Sequence, residues 1–517
     1  MKNKKIIIIT IIGILFISIG VAFIFIKNGK EEKRYDVPIT KEKLAYSIES
    51  NSLEPFDLYF LQLENKKENK VYSPLSIKYA LSMLAEGAEG ESKKQILDII
   101  YNYKTNKYEN SKNISLANAI FIKEIYKDKI NNNYKTSLVD KYNAEVIIDS
   151  FMTPVNINSW VSNKTLDLIN NLFDDISDED LILINALAID MEWEDKFIHT
   201  YPDHPIHVSY EHETFSWFGP DEVTAKQFKD MDEKISGMEI IASVNRYDIV
   251  NVLGESNIRK IVREELIKYL NEYNLTIRDM YNNDTKTDEE LFDNYLDKYI
   301  EEINSNYKKV DASTDFSFYT DENIKVFAKE LKEYDGKQLE YIEIMPLNKD
   351  LDEYVKNITA QDINTLLRQL KKIELNNFKE GVVTKITGFI PKFKFDYELN
   401  LMDDLKTLGI KNVFESGKAN LKNIASDDLY INKVSHKSNI EFTQDGIKAS
   451  AVTYAGGRGA GGWDYCFDVP VEEIDLTFDK PYMFIIRDKK TREVWFTGTV
   501  YNPLLYSEDN TILKKIN

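Results

Sequence analysis

Leu181-Ile-Leu-Ile-Asn-Ala-Leu-Ala-Ile189 is an unbroken apolar run, with Asp178-Glu-Asp180 before it and Asp190 after it. A strand with one wet face alternates apolar and polar residues. A strand covered on both faces reads as one continuous apolar run. The stretch therefore predicts a central strand with layers packed above and below. Upstream of it, apolar residues recur with helical spacing: Leu53, Phe56, Tyr59, Phe60 and Leu63, then Ile77, Ala80, Leu81 and Leu84. Ser73-Pro74 is a natural helix start, because the hydroxyl caps free amides and proline tolerates the first turn. Downstream, strand-like runs follow at Gly388 to Phe395, Asp428 to Phe442, Ile474 to Phe478, Tyr482 to Arg487 and Glu493 to Val500. Helices come early and strands late, so the class is α+β.

The chain has 517 residues, 66 basic against 86 acidic, for a net charge of −20. With 43% hydrophobic and 12% aromatic residues it can bury a large core. The acidic balance argues against a nucleic-acid partner, which needs a basic footprint. One cysteine excludes an internal disulfide and paired-cysteine zinc sites. Residues 1–5 form a short basic tail with Lys2, Lys4 and Lys5. Residues 6–26 are apolar throughout and long enough to span a bilayer. They read as an uncleaved transmembrane anchor. The alternative is secretion after signal cleavage, though no small-residue cleavage site follows. Residues 27–45 are a charged linker, and lysines on both sides of the span leave its orientation open.

The stretch 218–309 is polar and helix-rich. Thr287 and Glu290 make a capping box. Leu291, Tyr295, Leu296, Tyr299, Ile300, Ile303 and Tyr307 carry one apolar face, and Ile258 to Leu270 is a second amphipathic candidate. His199, His204, His207 and His212 cluster, yet their spacing matches no zinc motif and no metal site is expected. Cys466 with His436 as base lacks an evident orienting group. The glycine run Ala455 to Gly462 lacks the Lys-Ser/Thr of a phosphate loop. No cofactor is expected.

An ordered set of motifs carries a family resemblance. It runs through Tyr72-Ser-Pro-Leu-Ser-Ile77, Leu84 to Gly90, Leu116-Ala-Asn-Ala-Ile120 and Ile157-Asn-Ser-Trp-Val161 with Thr165. It continues through Asn185-Ala186, Trp193, Phe197, Pro391-Lys-Phe-Lys394, Leu408-Gly-Ile410 and Phe414. Val434-Ser-His-Lys437, Glu441, Gly446, Pro481-Tyr-Met-Phe484, Ile486-Arg-Asp488 and Phe496-Thr-Gly498 to Pro503 close it. In this order, over most of residues 46–503, the chain resembles the serpin family. The resemblance implies one large domain over 46–517, interrupted at 218–309, with three sheets, about nine helices and an exposed reactive loop at 444–473.

It also implies suicide inhibition of a serine (or cysteine) protease, with no enzymatic activity of its own. The alternative is a non-inhibitory serpin acting as a binding or chaperone-like module; a further rival is an enzyme using the histidine cluster or the insertion. By motif, Gly446, Ile447, Lys448, Ala449, Ser450 and Ala451 map to the hinge. Ser73, Ser76, Asn185 and His436 map to the shutter, and Trp193 to the breach where the loop enters the sheet. Counting from the hinge places the reactive bond at Ala460-Gly461, with Arg458-Gly459 as the alternative. Ile447 stands where inhibitory members usually carry Thr or Ser. Alternation separates Ile447, Ala449, Ala451, Thr453, Ala455, Gly457 and Gly459, all uncharged, from a set that holds Lys448 and Arg458. The expected site of action is the cell surface, outside the cytoplasm.

Overall fold

The computed structural model describes residues 53–447 and 471–507 apart from short gaps, the longest at 198–223, 307–314 and 373–382. Early helices form where the spacing predicts them. Pro74–Gly87 starts on Ser73, whose hydroxyl accepts from the Ser76 amide at 3.0 Å. Its apolar face, with Leu75, Ile77, Leu81 and Leu84, is buried against the sheets.

The described residues form four hydrogen-bonded sheets rather than three. One has six antiparallel strands, with Tyr482–Asp488 and Leu339–Pro346 at its centre. The second has four: Val471–Thr477 is parallel to Val383–Pro391, which pairs antiparallel with Lys234–Ser243, and Thr224–Gln227 lies outside. The other two are halves of one central sheet. Leu181–Ile189 closes a three-stranded half beside Ile114–Lys123. Its continuation, Met191–Glu192, joins a four-stranded half that holds Gly446–Ile447, His436–Phe442 and Phe393–Leu399. The expected count of three comes out as four because this sheet is parted down its middle.

Ten α-helices are present among the described residues, in line with the expected count of about nine. The differences are local. The strand expected from Asp428 runs only over His436–Phe442. The run expected from Gly388 to Phe395 is two strands in two sheets, Val383–Pro391 and Phe393–Leu399, broken at Lys392. Within the stretch 218–309, Thr224–Gln227 and Lys234–Ser243 are sheet strands rather than helix. The helical part begins with Arg246–Glu272, kinked at Gly254, and returns through Asp288–Asn306. Leu266, Leu270, Ile277 and Leu291 form a small core between the two helices.

Candidate functional site

The strand His436–Phe442 ends in the turn Thr443-Gln-Asp445, and Gly446–Ile447 folds back beside it. The Thr443 amide and hydroxyl both donate to the Gly446 carbonyl at 3.1 Å. On its other side this two-residue strand pairs with Met191–Glu192. A side chain at Gly446 has no room there: its Cβ would lie 2.2 Å from the Met191 carbonyl oxygen. Glycine is required by this close approach. Ile447 is only 2% exposed. The first two hinge residues are therefore already seated in the central sheet.

Below them the sheet is open. Among the described pairings, Leu181–Ile189 and His436–Phe442 are not bonded to each other. Between them lies a small cavity, about 10 Å³, that is partly open to solvent. Leu187, Ala188 and Ile189 form one wall; Asn439, Ile440 and Glu441 form the other. Ile447 closes one end, Ile486 and Phe496 from the six-stranded sheet contribute to the lining, and Leu168 joins them. Two strand edges facing across a gap are a template for an added strand.

Trp193 stands where the chain leaves the central strand, 1% exposed. Its indole donates to the Thr443 carbonyl at 2.9 Å, and its amide donates to Asp445 at 3.0 Å. Its ring meets Phe442 at 5.3 Å, Phe197 at 5.4 Å and Tyr341 at 5.9 Å, edge-on in each case. The tryptophan therefore ties the hinge turn to the core beneath the gap.

The structure brings three of the four expected shutter residues together. His436 Nε2 accepts from the Ser73 amide at 2.9 Å and lies 3.1 Å from the Ser438 hydroxyl, while Ser73 caps Ser76. Burial pushes the His436 imidazole down to about 4. Asn185 has a different partner. It donates to the carboxamide oxygen of Asn118 on the neighbouring strand, and Asn118 donates to the Tyr142 carbonyl at 2.8 Å. The Asn185 oxygen is buried without a partner among the described residues. Asn118 and Ser438 were not singled out in the sequence. Asn118 lies within Leu116-Ala-Asn-Ala-Ile120, but only the strand register sets it opposite Asn185.

Lys448, Ala449, Ser450, Ala451, Arg458, Gly459, Ala460, Gly461 and Cys466 lie outside the described residues, as do His199, His204, His207, His212 and the expected anchor at 6–26. Among the described residues no acidic, histidine or cysteine cluster could hold a metal ion, and no helix is long and apolar enough to cross a membrane.

The model of the family described as serpin (serine protease inhibitor) matches residues 55–205 and 301–503. The chain belongs to the serpin family. Human Serpin B4 is 23% identical over 88% of this chain and 99% of its own length. The leukocyte elastase inhibitor of Xenopus tropicalis is 24% identical over 87% of this chain and 97% of its own. The thermophilic serpin tengpin in its native state shares the fold, with a TM-score of 0.57 at 22% identity, covering 87% of this chain and 92% of that one. The serpin family is one of protease inhibitors rather than enzymes, and its model leaves residues 206–300 of this chain unmatched.

Proposed function

We propose that this serpin inhibits a serine protease as a suicide substrate. The protease's nucleophile attacks the reactive loop, at Ala460-Gly461 or Arg458-Gly459, and forms an acyl-enzyme. The cut loop then adds as a strand in the open central sheet before water hydrolyses the ester. The protease is dragged along and its active site distorted. The observation that carries this reading is the gap beneath Ile447, walled by two unpaired strand edges and entered by a seated hinge. Ile447 lines the gap with Ile486 and Phe496. Alternation from Ile447 then turns the uncharged set inward and leaves Lys448 and Arg458 outward. We also propose that residues 6–26 hold the inhibitor on the membrane with its body outside the cytoplasm. Proteolysis of intact cells is the check, since an outside body is digested and an inside body is protected.

The central experiment mixes the full chain, in detergent, with trypsin, elastase and subtilisin. A band at the summed mass that survives denaturant is the expected result. Sequencing the released C-terminal peptide fixes the cut. Clipping of the loop by all three proteases without trapping overturns the inhibitor reading and favours the binding-module alternative.

A further inference from the structure

The helical hairpin that the family model leaves largely unmatched is attached beside the strand by which the reactive loop returns to the body. The loop returns to the body at Val471, the first residue of its strand. The hairpin leaves the body after Ser243, the last residue of its strand. Lys385 on the strand between them pairs with both Ser243 and Glu473. The exit of the hairpin is therefore two strand spacings, about 10 Å at ~4.8 Å each, from the re-entry of the loop, at the same end of the sheet.

Beyond the kink at Gly254, the first helix runs to Glu272, roughly 27 Å at ~1.5 Å per residue. Its far end carries large apolar side chains in water: Tyr269 at 48% exposure, Tyr273 at 59%, Leu275 and Met280. The Tyr269 and Tyr273 rings contact each other at 4.8 Å. This tip is braced. Arg263 forks onto Glu289 at 2.6 and 2.5 Å and covers Phe292. Arg278 pairs with Asp288 at 2.6 Å, and Thr276 with Asp279 and Thr287 with Glu290 cap the turns. Rigid, exposed tyrosines cost little entropy on binding and are typical anchors of protein interfaces.

We infer that the tip of this hairpin is a second contact surface for the protease engaged by the reactive loop, an inference that rests on the proposed function. The occupant follows from where the hairpin starts: a protease seated on the loop must come to the end of the sheet from which the hairpin leaves the body. The surface raises the rate of capture and selects among proteases with the same cleavage preference.

The test compares the full chain with the triple variant Tyr269→Ser, Tyr273→Ser, Met280→Ser, using trypsin, elastase and subtilisin as probes. These side chains are exposed, so the variant keeps its fold, checked by an unchanged melting temperature. The expected result is a fall of about 30-fold, the scale of one interface hot spot, in the association rate of at least one protease, with the cleavage site unchanged. If no protease is trapped, the rate of loop cleavage gives the same reading, so the inference is tested even where the inhibitor proposal fails. Trapping at unchanged rates by all three overturns the inference and leaves the inhibitor proposal standing. Rates that stay unchanged while the variant loses self-association, or loses binding to phosphatidylcholine vesicles, also overturn it and assign the face to a second copy or to the membrane.

Discussion

A Cβ on Gly446 would meet the Met191 carbonyl oxygen at 2.2 Å and the Glu192 Cα at 2.7 Å. Both contacts are with backbone of the neighbouring strand, which cannot rotate away. Gly446→Val should expel the hinge from the sheet or push Met191–Glu192 aside, a cost of about 1–3 kcal/mol. A lower melting temperature and slower protease trapping are expected. Wild-type values in both assays would remove the seated hinge from the mechanism.

Charge on the inward set should convert the inhibitor into a substrate. Ile447 lines the gap, so Ala451 shares its parity along an added strand. An unpaired carboxylate buried there costs several kcal/mol. Ala451→Glu should be cleaved at the same bond without trapping. Val452→Glu, of opposite parity, should still trap. Equal trapping by the two variants would mean that the register is wrong.

What the sequence made legible was local. The continuous apolar run at Leu181–Ile189, the Ser73 cap and Trp193 beneath the hinge turn follow from side chains and their near neighbours. The parting of the central sheet did not, because pairing between Leu181–Ile189 and His436–Phe442 is a contact between segments far apart in the chain. The strands Thr224–Gln227 and Lys234–Ser243 were hidden for the same reason, since their polar setting reads as loop or helix until Val383–Pro391 supplies a partner. Motif places Asn185 with His436, whereas register sets it opposite Asn118.

Glu343 carries a stability penalty that grows with pH. It is fully buried in the six-stranded sheet, where one oxygen accepts from the Tyr341 hydroxyl at 2.7 Å and the Tyr482 hydroxyl interacts with the carboxyl. Burial pushes its carboxyl up to about 8. A carboxyl raised in the folded state favours folding fully below the unfolded value, near 4.5. That advantage is lost as pH rises toward 8, to a total on the order of several kcal/mol at ~1.36 kcal/mol per unit. Glu343→Gln keeps an acceptor for Tyr341 and carries no charge. Its urea midpoint should exceed wild type at pH 8 and approach it at pH 5. A constant difference across that range would assign the effect to packing.

His436 gives the opposite slope, in acid. Its Nε2 accepts from the Ser73 amide, so the ring proton sits on Nδ1 and the imidazole is neutral. Protonating Nε2 would aim one N–H at another, inside a buried site. Burial lowers the folded value to about 4, against about 6.5 in the unfolded chain. A histidine depressed in this way supports folding above pH ~6.5. That support is withdrawn as pH falls toward 4, by roughly 3 kcal/mol in all. Buried carboxylates also titrate at the acid end, so the discriminating window is pH 6.5 to 5. Over it, His436→Gln should lose less stability than wild type, while starting lower at pH 7.5 because Ser73 and Ser438 lose their ring partner. Because the same bond pins the start of the Pro74–Gly87 helix to one edge of the open sheet, loop insertion should also quicken in acid in the wild type and not in the variant. Matching pH profiles for the two proteins, in both urea midpoint and trapping rate, would mean that His436 is ordinary core.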